Sequence, residues 1–287
     1  MKSRKLKYIS IVILLVFSLI LAAIIFYEKN QEMKIIFLDV GQGDAILIEQ
    51  GSNQILIDGG PSEQILLEKL GKYVPFWDRK IELVIATHPD QDHIQGLMGA
   101  LKNYQVENLM ETTIRSESQL YQKYEELIQN RSISKIMPDS ETTVRIGGAE
   151  MSILSPLGLV PDSIVKDTNS FSIVSRLVFG DSSFLFTGDL PEKEELKLVK
   201  REVDVRSNVL KVAHHGSKYS SSDDFLKKVH PREAIISSGK NNRFGHPSME
   251  AMERLKSNNI EILRTDEMGD IVYACKNLEK RCQLVAN

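Results

Sequence analysis

A chain of 287 residues with 36 Lys and Arg against 39 Asp and Glu has a formal charge of −3, which excludes a protein that holds nucleic acid by bulk attraction to its phosphates. The charge is also unevenly spread: Lys2, Arg4, Lys5 and Lys7 precede a run from Tyr8 to Tyr27 without a charged residue, and the chain without those four stands at −7. The length suits one large domain or two small ones, and a compact, metal-centred phosphate site stays open where a long basic groove does not.

The apolar run from Tyr8 to Tyr27 matches, as a helix, the thickness of a bilayer. It exceeds the core of a cleavable signal peptide, and Ala22-Ala23 is followed by bulky Ile24, Ile25 and Phe26. Residues 1–29 are therefore expected to be an uncleaved, single-pass membrane anchor, and 30–287 the catalytic domain. The basic residues before the run keep the N-terminus cytoplasmic and place the domain outside the cell membrane; cleavage would export it all the same.

Beyond the anchor, Lys34–Asp39 reads as a strand, followed by the Gly-punctuated turn Val40–Asp44. Ala45–Glu49 and Gln54–Ile57 read as a hairpin closing on Asp58-Gly59-Gly60. A helix over 63–72 precedes the apolar strand Leu83–Ala86, which delivers Thr87-His88-Pro89-Asp90-Gln91-Asp92-His93; Ile94, Leu97, Met98 and Leu101 continue it as an amphipathic helix to about Tyr104. Strands at Val106–Met110 and Ile133–Met137 flank a helix around Glu117–Ile128. Thr142–Leu154 forms a hairpin, Ser170–Phe179 and Ser183–Phe186 another, and the latter ends in Thr187-Gly188-Asp189. Helix Pro191–Arg201 leads to strand Asn208–Ala213, which ends in His214-His215-Gly216-Ser217. Ser222 caps helix Asp223–Val229. Strand Ala234–Ser237, the polar loop Gly239–His246, helix Ser248–Ser257 and strands Glu261–Leu263 and Asp270–Ala274 complete the chain. Hairpins giving way to strand–helix alternation, twice, predict an α+β architecture: an αββα sandwich of two mixed β-sheets. Cys275 and Cys282 are either a disulfide of an exported domain or two free thiols.

The 87–93 loop carries the chemistry. Two imidazoles and two carboxylates converge where a strand turns into a helix, as a binuclear metal site requires; a capping residue would need one carboxylate and no histidine. Asp189, at another strand end, could bridge two ions; alone it would read rather as a turn or helix-capping residue ahead of Pro191, a reading the 88–93 loop makes the lesser one. His214 would complete the second ion, and His215 is either an alternative ligand or a general acid near the leaving group. His230, at a helix end before Pro231, reads as structural. His246 and Lys240 are candidates to orient a substrate phosphate. Two divalent ions lower the pKa of a shared water and supply a nucleophile near neutral pH, so Ser217 is expected to be a turn residue or phosphate donor rather than a nucleophile.

In order along the chain, Phe37–Asp44, Leu56–Gly60, the 87–96 loop, Thr187-Gly188-Asp189, His214–Ser217 and Asn242–Pro247 resemble the metallo-β-lactamase superfamily, and within it the soluble hydrolase domain of the ComEC DNA-uptake proteins. The resemblance spans residues 34 to about 274. It implies that His88 and Asp90 serve one metal, that Asp92, His93 and His214 serve the other, and that Asp189 lies between them. Asp90 stands where the general superfamily loop has a second histidine. A further histidine common in the superfamily is absent, the stretch Asp167-Thr168-Asn169-Ser170 offering Asp167 and Asn169 instead; oxygen-rich ligation makes Mn²⁺ a rival to Zn²⁺. The expected function is a metal-dependent hydrolase, a phosphodiesterase or nuclease acting on DNA with Asp92, His215 and His246 in catalytic roles. Other phosphodiesters or esters (wall polymer, lipid head group), a β-lactam or thioester, and a non-catalytic competence-associated binding module are the alternatives. ComEC proteins have a many-helix channel; the single apolar run here does not make one, so a separate DNA-uptake channel protein is an expected partner.

Overall fold

The computed structural model describes residues 2–158, 160 and 162–285; Met1 of the expected anchor and the last two residues of the expected catalytic domain lie outside them. A helix runs from Lys2 to Gln31. Its segment Lys7–Ile24 has a mean hydropathy of 2.5 with no residue buried, long and apolar enough to cross a membrane.

From Met33 onward the alternation of each strand decides the layers. In Met33–Phe37, residues Met33, Ile35 and Phe37 face one side while Ile36, with Leu38 beyond the strand, faces the other, as successive side chains on a strand must. The first set packs against Met151, Ile153, Leu177, Phe184 and Phe186 of a second sheet, giving the inter-sheet core. The other set is covered by helices: Leu66 and Leu70 of Glu63–Tyr73, Ile94, Leu97 and Leu101 of Gln91–Asn103, and Tyr124 and Ile128 of Gln119–Arg131. The far face of the second sheet (Leu185, Leu210, Ala234, Ile236) is covered by Leu198, Phe225, Val229 and Leu255 of three further helices. The result is the expected αββα sandwich. Ser62, Ser118 and Ser248 start three of these helices, each accepting a hydrogen bond from a backbone N–H in the first turn.

Both sheets, their strands counted among the described residues, are mixed. The first has eight strands in the order 283–285, 271–275, 33–37, 46–50, 53–57, 80–85, 105–110 and 134–136, antiparallel as far as Asn53–Ile57 and parallel thereafter. The second has seven, in the order 261–264, 233–236, 209–211, 182–186, 174–179, 149–155 and 143–146, its first four parallel. In both, the parallel strands end their C-termini at the same edge, the usual place for a site in such sheets.

Several elements differ from expectation. The strand expected from Ser170 begins at Val174, because Asn169–Phe171 turns as a 3₁₀-helix. The strand expected to Ala213 stops at Lys211, and Ala213–Gly216 is a kinked turn. Ile114–Arg115 and Ser163–Ile164 form a small parallel pair that the sequence does not announce. Ser222 starts its helix without a side-chain cap bond; the carboxylate of Glu195 instead accepts from the backbone N–H groups of Ser221 and Ser222. Cys275 and Cys282 are joined as a disulfide, and Gln283–Val285 pairs with the strand ending at Cys275.

Candidate metal centre

Strand pairing brings the site together. Ile57 lies opposite Ile85 in the parallel ladder, so the residues just beyond, Asp58 and Thr87, meet. The helix Gln91–Asn103 starts directly after the loop and carries Asp92 and His93 in its first turn. It sits tightly on the neighbouring turn: a Cβ at Gly96 would stand 1.8 Å from the Gly59 carbonyl oxygen. Gly43 makes a similar approach, where a Cβ would stand 2.3 Å from the Asp92 carbonyl, and this brings Asp44 to the site. From the second sheet, Thr187-Gly188-Asp189 follows strand Ser182–Phe186. His214 and His215 follow Val209–Lys211 with φ of 51° and 54°, a left-handed turn that aims the two rings differently.

His88 Nε2 lies 3.8 Å from Asp90 Oδ2 and 4.0 Å from Asp189 Oδ2. His93 Nε2 is 3.4 Å from Asp189 Oδ1, and His215 Nε2 is 3.4 Å from both Asp92 Oδ2 and Asp189 Oδ2. The opposite ring nitrogens fix the tautomers. His93 Nδ1 faces the Asp58 carboxylate at 2.8 Å and His215 Nδ1 faces the Ser237 carbonyl at 2.9 Å, so both carry hydrogen there. The Thr87 hydroxyl donates to Asp58 Oδ2 at 2.7 Å and so accepts from His88 Nδ1 at 3.0 Å. Through one direct bond and one relay, Asp58 therefore turns the Nε2 lone pairs of His93 and His88 toward the same space.

Among the buried side-chain atoms without a hydrogen bond are the Nε2 atoms of His88, His93 and His215, with Asp189 Oδ1 and Asp44 Oδ1. Leaving such groups unpaired costs about 1–3 kcal/mol each. Ligand atoms of His88, His93 and Asp189, and of Asp92, His93 and His215, lie within 4.8 Å of one another. Nitrogen and carboxylate donors converging in this way fit divalent metal ions.

Clustered carboxylates dominate the electrostatics of the site. Burial opposes ionisation throughout, but Asp189 and Asp58 outweigh it at His93, and Asp189 and Asp44 at His215, holding both imidazoles well above their usual range. Burial also raises Asp189, yet His215 and His93 bring it well below the carboxylate range; His88, buried beside His93, is pushed down. The fully buried Lys211 pairs with Asp44 at 2.7 Å. Burial raises the Asp44 carboxyl, and Lys211 and His215 more than reverse it.

The structure brings together His88, Asp90, Asp92, His93 and Asp189. Of the histidine pair, His215 (1 % exposed) joins the buried group, while His214 (31 % exposed) stands at the rim, 3.7 Å from Asp189. His246 lies next to it, the two rings 5.8 Å apart, and stacks on Phe244. Lys240 is exposed in the same loop. Where a further ligand was sought, Asp167 turns away to Lys193 at 2.7 Å, and Thr168 donates to Asp90 Oδ1 at 2.6 Å. His230 caps its helix in a left-handed conformation. Asp44, Asp58, Lys211 and Thr168 are parts of the site that the sequence reading gave no role. For Asp44 and Asp58 the signal was present, each being a carboxylate beside glycines at a turn.

A family model described as the metallo-beta-lactamase superfamily matches residues 38–240. ComE operon protein 3 of Bacillus subtilis (strain 168) is 32% identical over 270 residues, which are 86% of this chain and 34% of that protein. Competence protein ComA of Neisseria gonorrhoeae is 27% identical over 262 residues, 89% of this chain and 35% of that protein. The chain thus spans about a third of the length of these relatives. Among solved structures, the metallo-beta-lactamase fold protein YhfI of Bacillus subtilis superposes with a TM-score of 0.57 at 13% identity, covering 85% of this chain and 100% of that one. Igni18, a metallo hydrolase of the archaeon Ignicoccus hospitalis, gives 0.53 at 14% identity, covering 84% and 98%. These two likenesses are of fold.

Proposed function

Because the chain belongs to the metallo-β-lactamase superfamily, whose members include metal-dependent hydrolases, we propose that it is a membrane-anchored, extracytoplasmic phosphodiesterase that cleaves DNA. The observation that carries the reading is the convergence of three buried, tautomer-fixed Nε2 atoms on Asp92 and Asp189. In this assignment His88 and Asp90 would hold one ion, Asp92, His93 and His215 would hold the other, and Asp189 would contribute to both. His215 would take the place expected of His214, since its buried Nε2 faces both carboxylates while its burial keeps it from a leaving group. Bound divalent ions supply Lewis acidity and an activated water; Zn²⁺ and Mn²⁺ both suit these donors.

The protein's own groups do the remainder. Asp58 and Ser237 hold the imidazoles in the ligating tautomer, and Thr168 holds Asp90. His214 and His246, at the rim, bind and orient a phosphoryl oxygen, and His214 is exposed enough to give a proton to a departing oxygen. The relative named competence protein ComA supports DNA as the substrate and a DNA-uptake channel protein as a partner. The helix Lys2–Gln31, with basic residues before its apolar run, supports residues 1–29 as anchor and 30–287 as an exported domain. The disulfide supports the same side of the membrane.

The test is metal-dependent cleavage by the full chain in detergent, loaded in turn with Mn²⁺ and Zn²⁺, of single-stranded DNA, double-stranded DNA and bis-p-nitrophenyl phosphate, with Asp92→Ala as blank. DNA cleavage lost in the variant is expected. Cleavage of the small diester alone would move the substrate to wall polymers or lipid head groups. Silence with metal bound would refute the phosphodiesterase reading, and silence without metal would point to a binding module.

A further inference from the structure

At the edge opposite the metal centre, where the parallel strands of the second sheet begin, a cleft of about 750 Å³ opens beside Ser182, Asn208 and Arg232. Five cations line it (Arg176, Arg206, Lys227, Arg232 and Arg281) against one carboxylate, Asp181. Arg176 donates to the Arg206 carbonyl and stands 3.6 Å from Asp204. The side chains of Arg206, Lys227, Arg232 and Arg281 form no ion pair among the described residues. In a domain of net negative charge, four unanswered cations around one concavity call for an anion of the phosphate class.

The chain path says which anion. Met33, two residues after the apolar helix ends, pairs with Cys275 and Gln50, so the polypeptide enters the sandwich at this same edge. Arg281 lies inside the disulfide loop that starts at Cys275, and the Cys282 N–H donates to Ser182 Oγ on the cleft wall. The loop before strand Lys80–Ile85 is at this edge too, tied by Gln54 Nε2 donating to Asp78 Oδ2 at 3.0 Å. It carries Phe76 and Trp77, 79% and 73% exposed and packed edge to face on one another. A basic cleft and bare aromatic rings at one edge are the composition of a surface that meets charged head groups and the interfacial layer beneath them.

We infer that this edge rests on the bilayer, the cleft taking the phosphate of anionic phospholipid head groups while Phe76 and Trp77 enter the interfacial layer. The inference rests on the anchored reading above. Its consequence is orientation: with a strand rise of about 3.3 Å per residue, the seven steps from Lys80 to Thr87 hold the metal centre about 20 Å from that edge, facing away from the membrane.

Trp77 is the only tryptophan in the sequence, so its fluorescence reports one place. The full chain is reconstituted into vesicles of phosphatidylcholine with or without phosphatidylglycerol. Trp77 quenching by brominated lipid is read together with hydrogen exchange over residues 204–208, 226–232 and 277–282. Quenching and protection are expected with the anionic lipid. In the Arg232→Glu/Arg281→Glu variant the docked-to-undocked ratio is expected to fall at least about five-fold for each reversed charge, with an unchanged thermal melt as control for folding. Protection indifferent to lipid charge would overturn the inference. So would protection in neutral vesicles by inorganic phosphate, or by a short single-stranded oligonucleotide, either of which would give the cleft another ligand. A chain that does not float with neutral vesicles would refute the anchor; one that floats without charge-dependent protection refutes the lipid cleft alone.

Discussion

Replacing Asp58 with Asn tests whether tautomer control holds the metal centre together. The carboxylate accepts from Thr87 N at 2.8 Å through Oδ1, and from Thr87 Oγ1 at 2.7 Å and His93 Nδ1 at 2.8 Å through Oδ2. An amide of the same shape has one oxygen. With that oxygen kept on Thr87 N, an NH₂ group stands where two donors pointed. His93 must then present a bare Nδ1 and carry its hydrogen on Nε2, directed into the centre. The Thr87 hydroxyl turns toward His88 Nδ1 and drives that ring to the same tautomer. Losing such a supporting partner costs about 10–100-fold in metal affinity, and losing a hydrogen bond to a charged group lowers stability of the metal-free chain by about 1.5–3 kcal/mol. Chelator-competition titration gives the first quantity and thermal melts the second, with Asp167→Asn as a remote control. A variant that binds metal as tightly as the parent would refute the relay.

Two further predictions concern the scaffold. Asp270 is buried by its neighbours, which would raise its carboxyl, but Lys69, Lys72 and Tyr73 bonds outweigh this and hold it at about 2 against an ordinary 3.8. A depressed carboxyl stabilises above its unfolded pKa, so it should contribute about 2 kcal/mol at neutral pH and lose it as pH falls from about 4 to 2; Asp270→Asn should flatten that limb of the stability profile, and an unchanged slope would contradict it. Gly96→Ala would put a methyl into the Gly59 carbonyl and push back the helix that bears Asp92 and His93. Urea melts should show about 1–3 kcal/mol of destabilisation, with weaker metal binding; a silent variant would mean that the helix does not sit as closely as described.

How much of this was legible in the sequence depends on the distance over which each residue acts. The convergence of the 87–93 side chains was legible because they fall within one strand–turn–helix, and the layers because alternation within single strands reports them. Asp58 was visible as a carboxylate at a strand end, but its partners exist only once Asn53–Ile57 and Lys80–Ile85 pair in parallel. Lys211 reads as a charge interrupting an apolar strand, and nothing local says that Asp44, from the other sheet, neutralises it. The order of His214 and His215 turns on two left-handed residues in succession, which neither residue type advertises. The four cations of the far cleft come from different elements and were diluted in a chain of net negative charge.

On this reading the buried histidines and carboxylates would hold two divalent ions, with Asp189 contributing to both. Metal analysis of the purified full chain, beside Asp189→Ala, tests it most directly. Two divalent ions per parent chain are predicted, falling to one or none in the variant while the thermal melt shows it still folded. A folded parent chain that keeps no stoichiometric metal after incubation with Zn²⁺ or Mn²⁺ would contradict the account.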